Sequence, residues 1–503
     1  MEISQFNNIQ SHQDTINFRQ IIVGIIIVFL AAICAIVSSK LGLGLLAVWP
    51  VIVLIIGFIN RYELGLICFA LSFAYQAPVV FVPEIGLSAV IRLDELIFAA
   101  VFLVYLLRGS IQKDRAPNEA PLRKPLLLYV ILAFLSLIVR YDDISSTPFF
   151  QSGTGLKGLG PLIFKLAEVV GGYFILTDQH ISQKTRRTMF LCLPIVAGFA
   201  VILSFLIAHG IIPKDIFGRG FYDPNEWYTR FSLYGNTSAW GVLLVIYFFI
   251  FLNSVLNFRK IWIKLILILL LVLCVDAIFI SGTKTAMVGI IIGLIFLMIR
   301  EYRNFSRYIK IVMLSLIIII MGSWSINEFG TESQKKTMYG EVENAYIGSG
   351  AKGFGPAYHE TSLGSRIDHW FRFGDAVNEE PALLVLGRGW QRRGVYITGE
   401  SLHNDVLTAI HDLGIGGGFF VIWLYWVMFR QFQKKMTNKI INKSEREDLL
   451  ISIMFSIILA ILISSFTSEN LTLYFGIDVQ FPFITVIMAI TWNYLRGFNY
   501  RMT

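Results

Sequence analysis

The stretch Leu265-Ile-Leu-Ile-Leu-Leu-Leu-Val-Leu-Cys-Val-Asp-Ala-Ile-Phe-Ile-Ser281, then Gly282-Thr283-Lys284, then Thr285-Ala-Met-Val-Gly-Ile-Ile-Ile-Gly-Leu-Ile-Phe-Leu-Met-Ile299, decides the fold class. Two apolar runs are joined by three residues, and Asp276 is the one charge inside them. A membrane-crossing helix needs about 20 mostly apolar residues. Lipid offers the backbone no hydrogen-bond partner, so a continuous run of this kind crosses as a helix. Run, turn and run therefore read as two antiparallel spans.

Working outward, similar runs lie at 20–38, 42–59, 63–80, 93–107, 125–139, 159–177, 189–208, 238–256, 309–325, 411–429, 449–466 and 475–494. The expectation is an all-α, polytopic membrane helix bundle with about 12–14 transmembrane helices. Residues 1–503 read as a single membrane domain, with 326–410 as a large extracytoplasmic loop capping the site. The composition agrees, because 55% of the residues are apolar and 15% charged, against about 25% charged in soluble domains. One anchor on a soluble domain could not shift the average so far. The first run is not followed by a small-residue cleavage site and reads as a retained helix rather than a signal peptide.

The loop charges set an orientation. Cations gather at 108–124, 178–188, 259–264, 300–310 and 434–446, in every second loop. The positive-inside bias places these loops and both termini in the cytoplasm. The net charge of +8 thus reads as topology rather than as a nucleic-acid surface. The remaining loops, 140–158, 209–237, 282–284, 326–410 and 467–474, face outward. A loop of this length at 326–410 is expected to carry structure of its own.

Several familiar chemistries are excluded. Cys34, Cys68, Cys192 and Cys274 sit apart in apolar runs, which suggests neither a disulfide framework nor a zinc knuckle. The chain has no phosphate-binding Walker loop, dinucleotide fingerprint or His-Glu-x-x-His helix. No nucleotide, metal or other cofactor is expected. Energy must arrive in the substrate or from a gradient.

The unusual polar residues concentrate in the outward loops. Glu400-Ser-Leu-His403-Asn404 is followed by nine residues and then Gly414-Ile-Gly-Gly417. A neutral histidine where a loop re-enters the membrane can accept a proton near pH 7; it can equally be an interfacial residue without a role. Gly414 and Gly417 would admit close helix packing. Arg230 precedes Gly235-Asn236, Lys284 sits in the tight turn, Arg366 follows Gly364-Ser365, and Arg388 lies between Gly387 and Gly389. Any one of these cations could be a solvated loop charge. Converging, they would suit an anionic ligand, since Arg makes two parallel bonds to a phosphate.

Charges inside the spans add to the list. Lys165 and Glu168 are three residues apart and can pair on one helix face. They read either as a functional site or as a buried structural pair. Asp276, near the end of its run, could neutralise a nearby outer cation. Arg92, Asp94 and Glu95 read as an anchor at a helix start.

The His403-Asn404, nine-residue, Gly414-x-x-Gly417 pattern resembles the signature of the O-antigen ligase and polymerase superfamily of bacterial envelope enzymes. Ser281-Gly-Thr-Lys284 is similar to its Ser/Thr-Gly-Ser-Arg turn, with Lys in place of Arg. Arg230, Ser365-Arg366 and Gly387-Arg388-Gly389 resemble further landmarks. The resemblance implies a metal-independent, inverting glycosyltransferase acting on undecaprenyl-pyrophosphate-linked glycan at the outer face of the cytoplasmic membrane. It further implies His403 as the catalytic base and Arg230, Lys284 and Arg366 as pyrophosphate ligands. Asn404, Glu400, Arg388, Lys165, Glu168 and Asp276 would support them. The partners implied are the lipid-linked glycan donor, a glycan or lipid acceptor, the membrane, a chain-length regulator and a flippase, with no nucleic acid. Three readings stay open: a polymerase of repeat units, a ligase of finished glycan, and a transporter of lipid-linked sugar.

Overall fold

In the computed structural model the described residues are 18–40, 48–73, 78–82, 89–111, 120–139, 155–178, 180–208, 211–212, 237–281, 283–302, 304–329, 362–388, 404–437, 445–465 and 480–499. They form α1 (Phe18–Lys40), α2 (Val48–Asn60), α3 (Tyr62–Ser72), β1 (Pro78–Val82), β2 (Ala89–Arg92), α4 (Leu93–Ile111), α5 (Arg123–Val139), α6 (Gly155–Leu176) and α7 (Gln183–Ala208). There follow α8 (Thr237–Asn257), α9 (Ile261–Ser281), α10 (Lys284–Glu301), α11 (Phe305–Phe329), α12 (Ser362–Glu379), α13 (Ala382–Leu386), α14 (Asp405–Leu413), α15 (Ile415–Thr437), α16 (Glu445–Ser465) and α17 (Gln480–Asn499). Apart from the β1–β2 pair, the protein is an all-α polytopic membrane protein. Among the described residues, five helices are long and apolar enough to cross a membrane by length and composition alone: α7, α8, α9, α15 and α16.

Every apolar run read from the sequence contains helix, with two corrections. The run at 63–80 is helical only to Ser72, and Pro78 opens a strand instead. Pro78 cannot donate a backbone hydrogen bond to an extending helix, and the Val-rich segment that follows favours extended backbone. β1 and β2 pair antiparallel, with Phe81 opposite Val90 and an irregularity between Pro78 and Val80. The run at 411–429 is also not one helix, because the chain breaks at Gly414 between α14 and α15. The segment expected as a long loop at 326–410 carries α12, α13 and most of α14, and takes in the last residues of α11.

The helices fall into two compact units. One holds α1 to α4, nearly all of α6, the first two-thirds of α7, and α17 beyond its first two residues. Within it, Lys165 on α6 lies buried between Glu95 of α4 and Glu168 of its own helix. Phe73 and Phe483 meet with centroids 5.5 Å apart, and Phe190 stacks on Tyr494 at 4.2 Å. The Glu63 carboxylate on α3 accepts Ser182 N–H at 2.9 Å and Thr185 Oγ1 at 2.7 Å, which satisfies donors at the exposed start of α7.

The other unit holds α5, α8 to α16 and the last third of α7. Its centre is α8, buried along almost its whole length and packed on α9, α10 and α16. α10 and α16 pack most closely because small residues face each other. Gly289 lies against Ala460, and Gly293 against the Ser456 carbonyl and the Phe249 ring. Gly289-x-x-x-Gly293 opposite Ser456-x-x-x-Ala460 lets two backbones approach where lipid supplies no hydrophobic driving force. By contrast, Trp262, Leu265, Ile266 and Leu269 of α9 are exposed. An apolar face of this kind belongs against lipid chains.

Candidate functional site

The geometry is best defined around α14, which follows His403-Asn404. Asn404 takes an extended backbone (φ −150°, ψ 122°) and caps the helix. Its Oδ1 accepts the backbone N–H groups of Val406 and Leu407, each at 3.0 Å. Three or four such donors at a helix start are otherwise orphaned, and Asn is among the best residues at this position. Asn404 is therefore a positioning element whose side chain is committed to the backbone. Asp405, in the first turn and fully buried, accepts from the Tyr425 hydroxyl of α15 at 3.0 Å. A carboxylate there also complements the positive end of the helix.

The other end of α14 is closed by Gly414. Its φ of +68° lies in the left-handed region, and its N–H donates to Ile410 at 2.8 Å. Gly387, at the end of α13, has φ +67° and meets the same place. A Cβ on Gly387 would sit 2.5 Å from the Asp412 carbonyl oxygen, and one on Gly414 would run into the Val385 carbonyl. Arg388 N–H donates to the His411 carbonyl at 2.7 Å. The two helix ends thus lock backbone to backbone. Gly417 and Gly418 serve the same joint: a Cβ on either would collide with α14, at the Ala409 carbonyl and at Ile410 respectively. The close partner for the Gly-x-x-Gly segment is α14 itself. The fit at Gly418 was not legible from spacing.

The residues singled out in the sequence distribute as follows. Arg230, Glu400 and His403 lie outside the described residues. Lys284 is the first residue of α10, and Arg366 lies in the second turn of α12. Arg388 pairs with Glu380 (Nη2 to Oε2, 2.8 Å), and its backbone joins the far end of α14 from Asn404. Nine residues at 1.5 Å rise put those two ends about 13 Å apart. Asp276 is buried on α9.

The turn before Lys284 is held by its own hydroxyls. Ser281 Oγ donates to the Ile278 carbonyl at 2.7 Å, lies 3.0 Å from Thr283 Oγ1, and accepts Thr283 N–H at 3.3 Å. Thr283 then stands at the N-cap position of α10. Gly241 of α8 presses on this turn, since a Cβ there would lie 2.6 Å from Thr283 Cβ. Lys284 consequently stands at the positive end of an 18-residue helix, a setting that favours anions.

Residues 269–422 match the protein-family model described as O-antigen ligase. The matched stretch, less than a third of the 503 residues, is similar to that family. No curated protein matches the chain significantly. The family segment runs from α9 into α15, and so contains the Ser281–Lys284 turn, α12 to α14 and both left-handed glycines. The chain around this segment is a multi-pass membrane protein.

Two clusters exceed what the sequence suggested. Lys165 Nζ lies 2.5 Å from Glu95 Oε1 as well as 2.5 Å from Glu168 Oε2. All three side chains are buried, so Glu95 belongs to an ion network and does more than anchor a helix start. In the ligase-family segment, His411 Nδ1 lies 2.9 Å from Asp412 Oδ1, both buried. The Phe373 ring of α12 covers that histidine, with centroids 6.1 Å apart. Adjacent residues on a helix rarely face each other, so sequence spacing gave no sign of this contact.

Proposed function

We propose that this chain is a metal-independent, inverting glycosyltransferase. It polymerises undecaprenyl-pyrophosphate-linked repeat units at the outer face of the cytoplasmic membrane, with both termini cytoplasmic. The observation that carries the reading is the capped start of α14: Asn404 fixes the helix that begins directly after His403, inside the segment matching the O-antigen ligase family.

In this reading the acceptor hydroxyl attacks the anomeric carbon of the donor glycan. His403 takes the hydroxyl proton as the new glycosidic bond forms. The bond from the anomeric carbon to the pyrophosphate oxygen breaks, and its electron pair leaves on that oxygen. Lys284 at the start of α10, with Arg230 and Arg366, balances the charge that collects there. Preorganised cations and helix dipoles stabilise such charge well in a water-poor site. Attack opposite the leaving group inverts the anomeric centre. Pyrophosphate is already a good leaving group, so the one base assigned serves the weak nucleophile.

A second reading has a specific observation behind it, since the matching family model is described as O-antigen ligase. There the acceptor would be a lipid or other molecule rather than another repeat unit. The test is turnover of a defined undecaprenyl-pyrophosphate glycan by the purified chain, with products sized by mass. A ladder of repeats on the lipid carrier supports polymerisation. Transfer of intact glycan to an added acceptor, without a ladder, supports ligation. Neither product from active preparations would sink both and leave transport.

A further inference from the structure

We propose that α13 is immersed in the membrane surface, where its apolar face meets lipid acyl chains and tethers the end of the long α11–α14 connection to the bilayer. The starting point is α15. Ile415, Phe419, Ile422 and Trp426 are all more than half exposed, while Phe420, Val421, Leu424 and Tyr425 between them are buried. Spacings of four, three and four place the exposed set on one helix face. α15 is long and apolar enough to span from Ile415 onward. The stripe is therefore a lipid-facing surface, and it begins at Ile415, which is 65% exposed.

α13 lies at that level. Gly414, the residue before Ile415, sits against the carbonyl of Val385 and 3.0 Å, measured from an ideal Cβ, from Leu386 N. Of the five residues of α13, Leu383 is buried, packed with Phe373, Leu407 and Ile410. Leu384, Val385 and Leu386 are exposed, Val385 at 67%. Three consecutive exposed aliphatic side chains would be a liability in water. Here they extend the lipid-facing stripe of α15 sideways from its first residue. The flanks fit an interface, because Glu380 and Arg388 pair at 2.8 Å on either side of the apolar turn and remain partly exposed. Long charged side chains reach toward the headgroups from such positions. The surface matches acyl chains rather than a protein partner, because it is continuous with a face that already requires lipid.

The test uses the full chain reconstituted in phospholipid vesicles, with its four cysteines replaced. Nitroxide labels are placed through Val385→Cys, Phe419→Cys and Asp375→Cys, the last on the exposed polar side of α12. Collision rates are read with oxygen, which concentrates in lipid, and with a water-soluble nickel chelate. The label at 385 should match that at 419, with an oxygen-to-nickel ratio severalfold above that at 375. A ratio at 385 equal to that at 375 would overturn the proposal. Should the cysteine-free chain not fold, a benzophenone amino acid at 385 in the otherwise native chain replaces the label. Phospholipid adducts detected by mass then support immersion, and their absence beside adducts at 419 refutes it. Neither readout depends on the glycosyltransferase reading.

Discussion

The backbone N–H of Arg388 donates to the carbonyl of His411 at 2.7 Å, joining two helix ends that are distant in sequence. This bond is possible because Gly387 and Gly414 both turn through left-handed backbone and leave no side chain between the strands of chain. The end of α13 is thereby held to α14, the helix whose other end follows His403.

Gly387→Ala and Gly414→Ala should each destabilise the protein. The backbone strain alone costs about 1–3 kcal/mol, and the new Cβ would also meet a carbonyl in each case. Gly374→Ala is the contrast, because nothing lies within 4 Å of its Cβ position on exposed α12. Alanine there should stabilise slightly, by about 0.5–1 kcal/mol. Thermal unfolding in detergent would compare the three. Equal midpoints for Gly387→Ala and Gly374→Ala would refute the locking role of the joint.

Removing the cap at α14 should loosen the helix start selectively. Asn404→Ala loses both acceptors and should cost about 0.5–2 kcal/mol, whereas Asn404→Ser should keep most of it. Hydrogen exchange at the Val406 and Leu407 amides is the direct readout. Faster exchange in the alanine variant alone is expected; unchanged exchange would show that the cap does not hold them.

Charge removal at Lys165 should be far more damaging than a surface change. Lys165→Met leaves Glu95 and Glu168 buried without their shared cation, and breaking a buried pair typically costs about 3–5 kcal/mol. Neutralising all three, as Lys165→Met with Glu95→Gln and Glu168→Gln, should recover much of the loss. Yield and thermal midpoint of reconstituted protein would show it. A triple variant no better than the single one would argue against charge imbalance as the cause.

The proposed chemistry makes its own prediction. His403→Ala should lower turnover by about 10²–10⁴-fold, the usual worth of a general base. Lys284→Ala should weaken use of the pyrophosphate donor, while Lys284→Arg should be tolerated, since a guanidinium also serves an anion at a helix start. Near-normal polymer synthesis by His403→Ala would remove that residue from the mechanism.

Hydropathy made most of the fold legible. Each apolar run holds a helix because lipid leaves the backbone few alternatives. The break at Gly414 was hidden, since Leu413 and Ile415 on either side are apolar and a positive φ leaves no hydropathy mark. The end of α3 at Ser72 was hidden likewise, because β1 is as apolar as the helix it was expected to extend. At the candidate site, residue types and spacing did not reveal partners. The Arg388–Glu380 pair and the third member of the Lys165 cluster depend on contacts that spacing alone does not encode. Asn404 was legible as a neighbour of His403, whereas its cap depends on the extended backbone at that residue.

The Asn493 amide of α17 donates to the Leu176 carbonyl at the end of α6, at 2.7 Å. That carbonyl has no partner within its own helix. Synthesis at about 5–20 residues per second separates the two segments by tens of seconds. The first unit therefore enters the membrane early yet stays unfinished until α17 follows. Through that interval the nascent bundle is open to insertion factors and quality-control proteases, and a stop codon before α17 would be felt in helices made long before it.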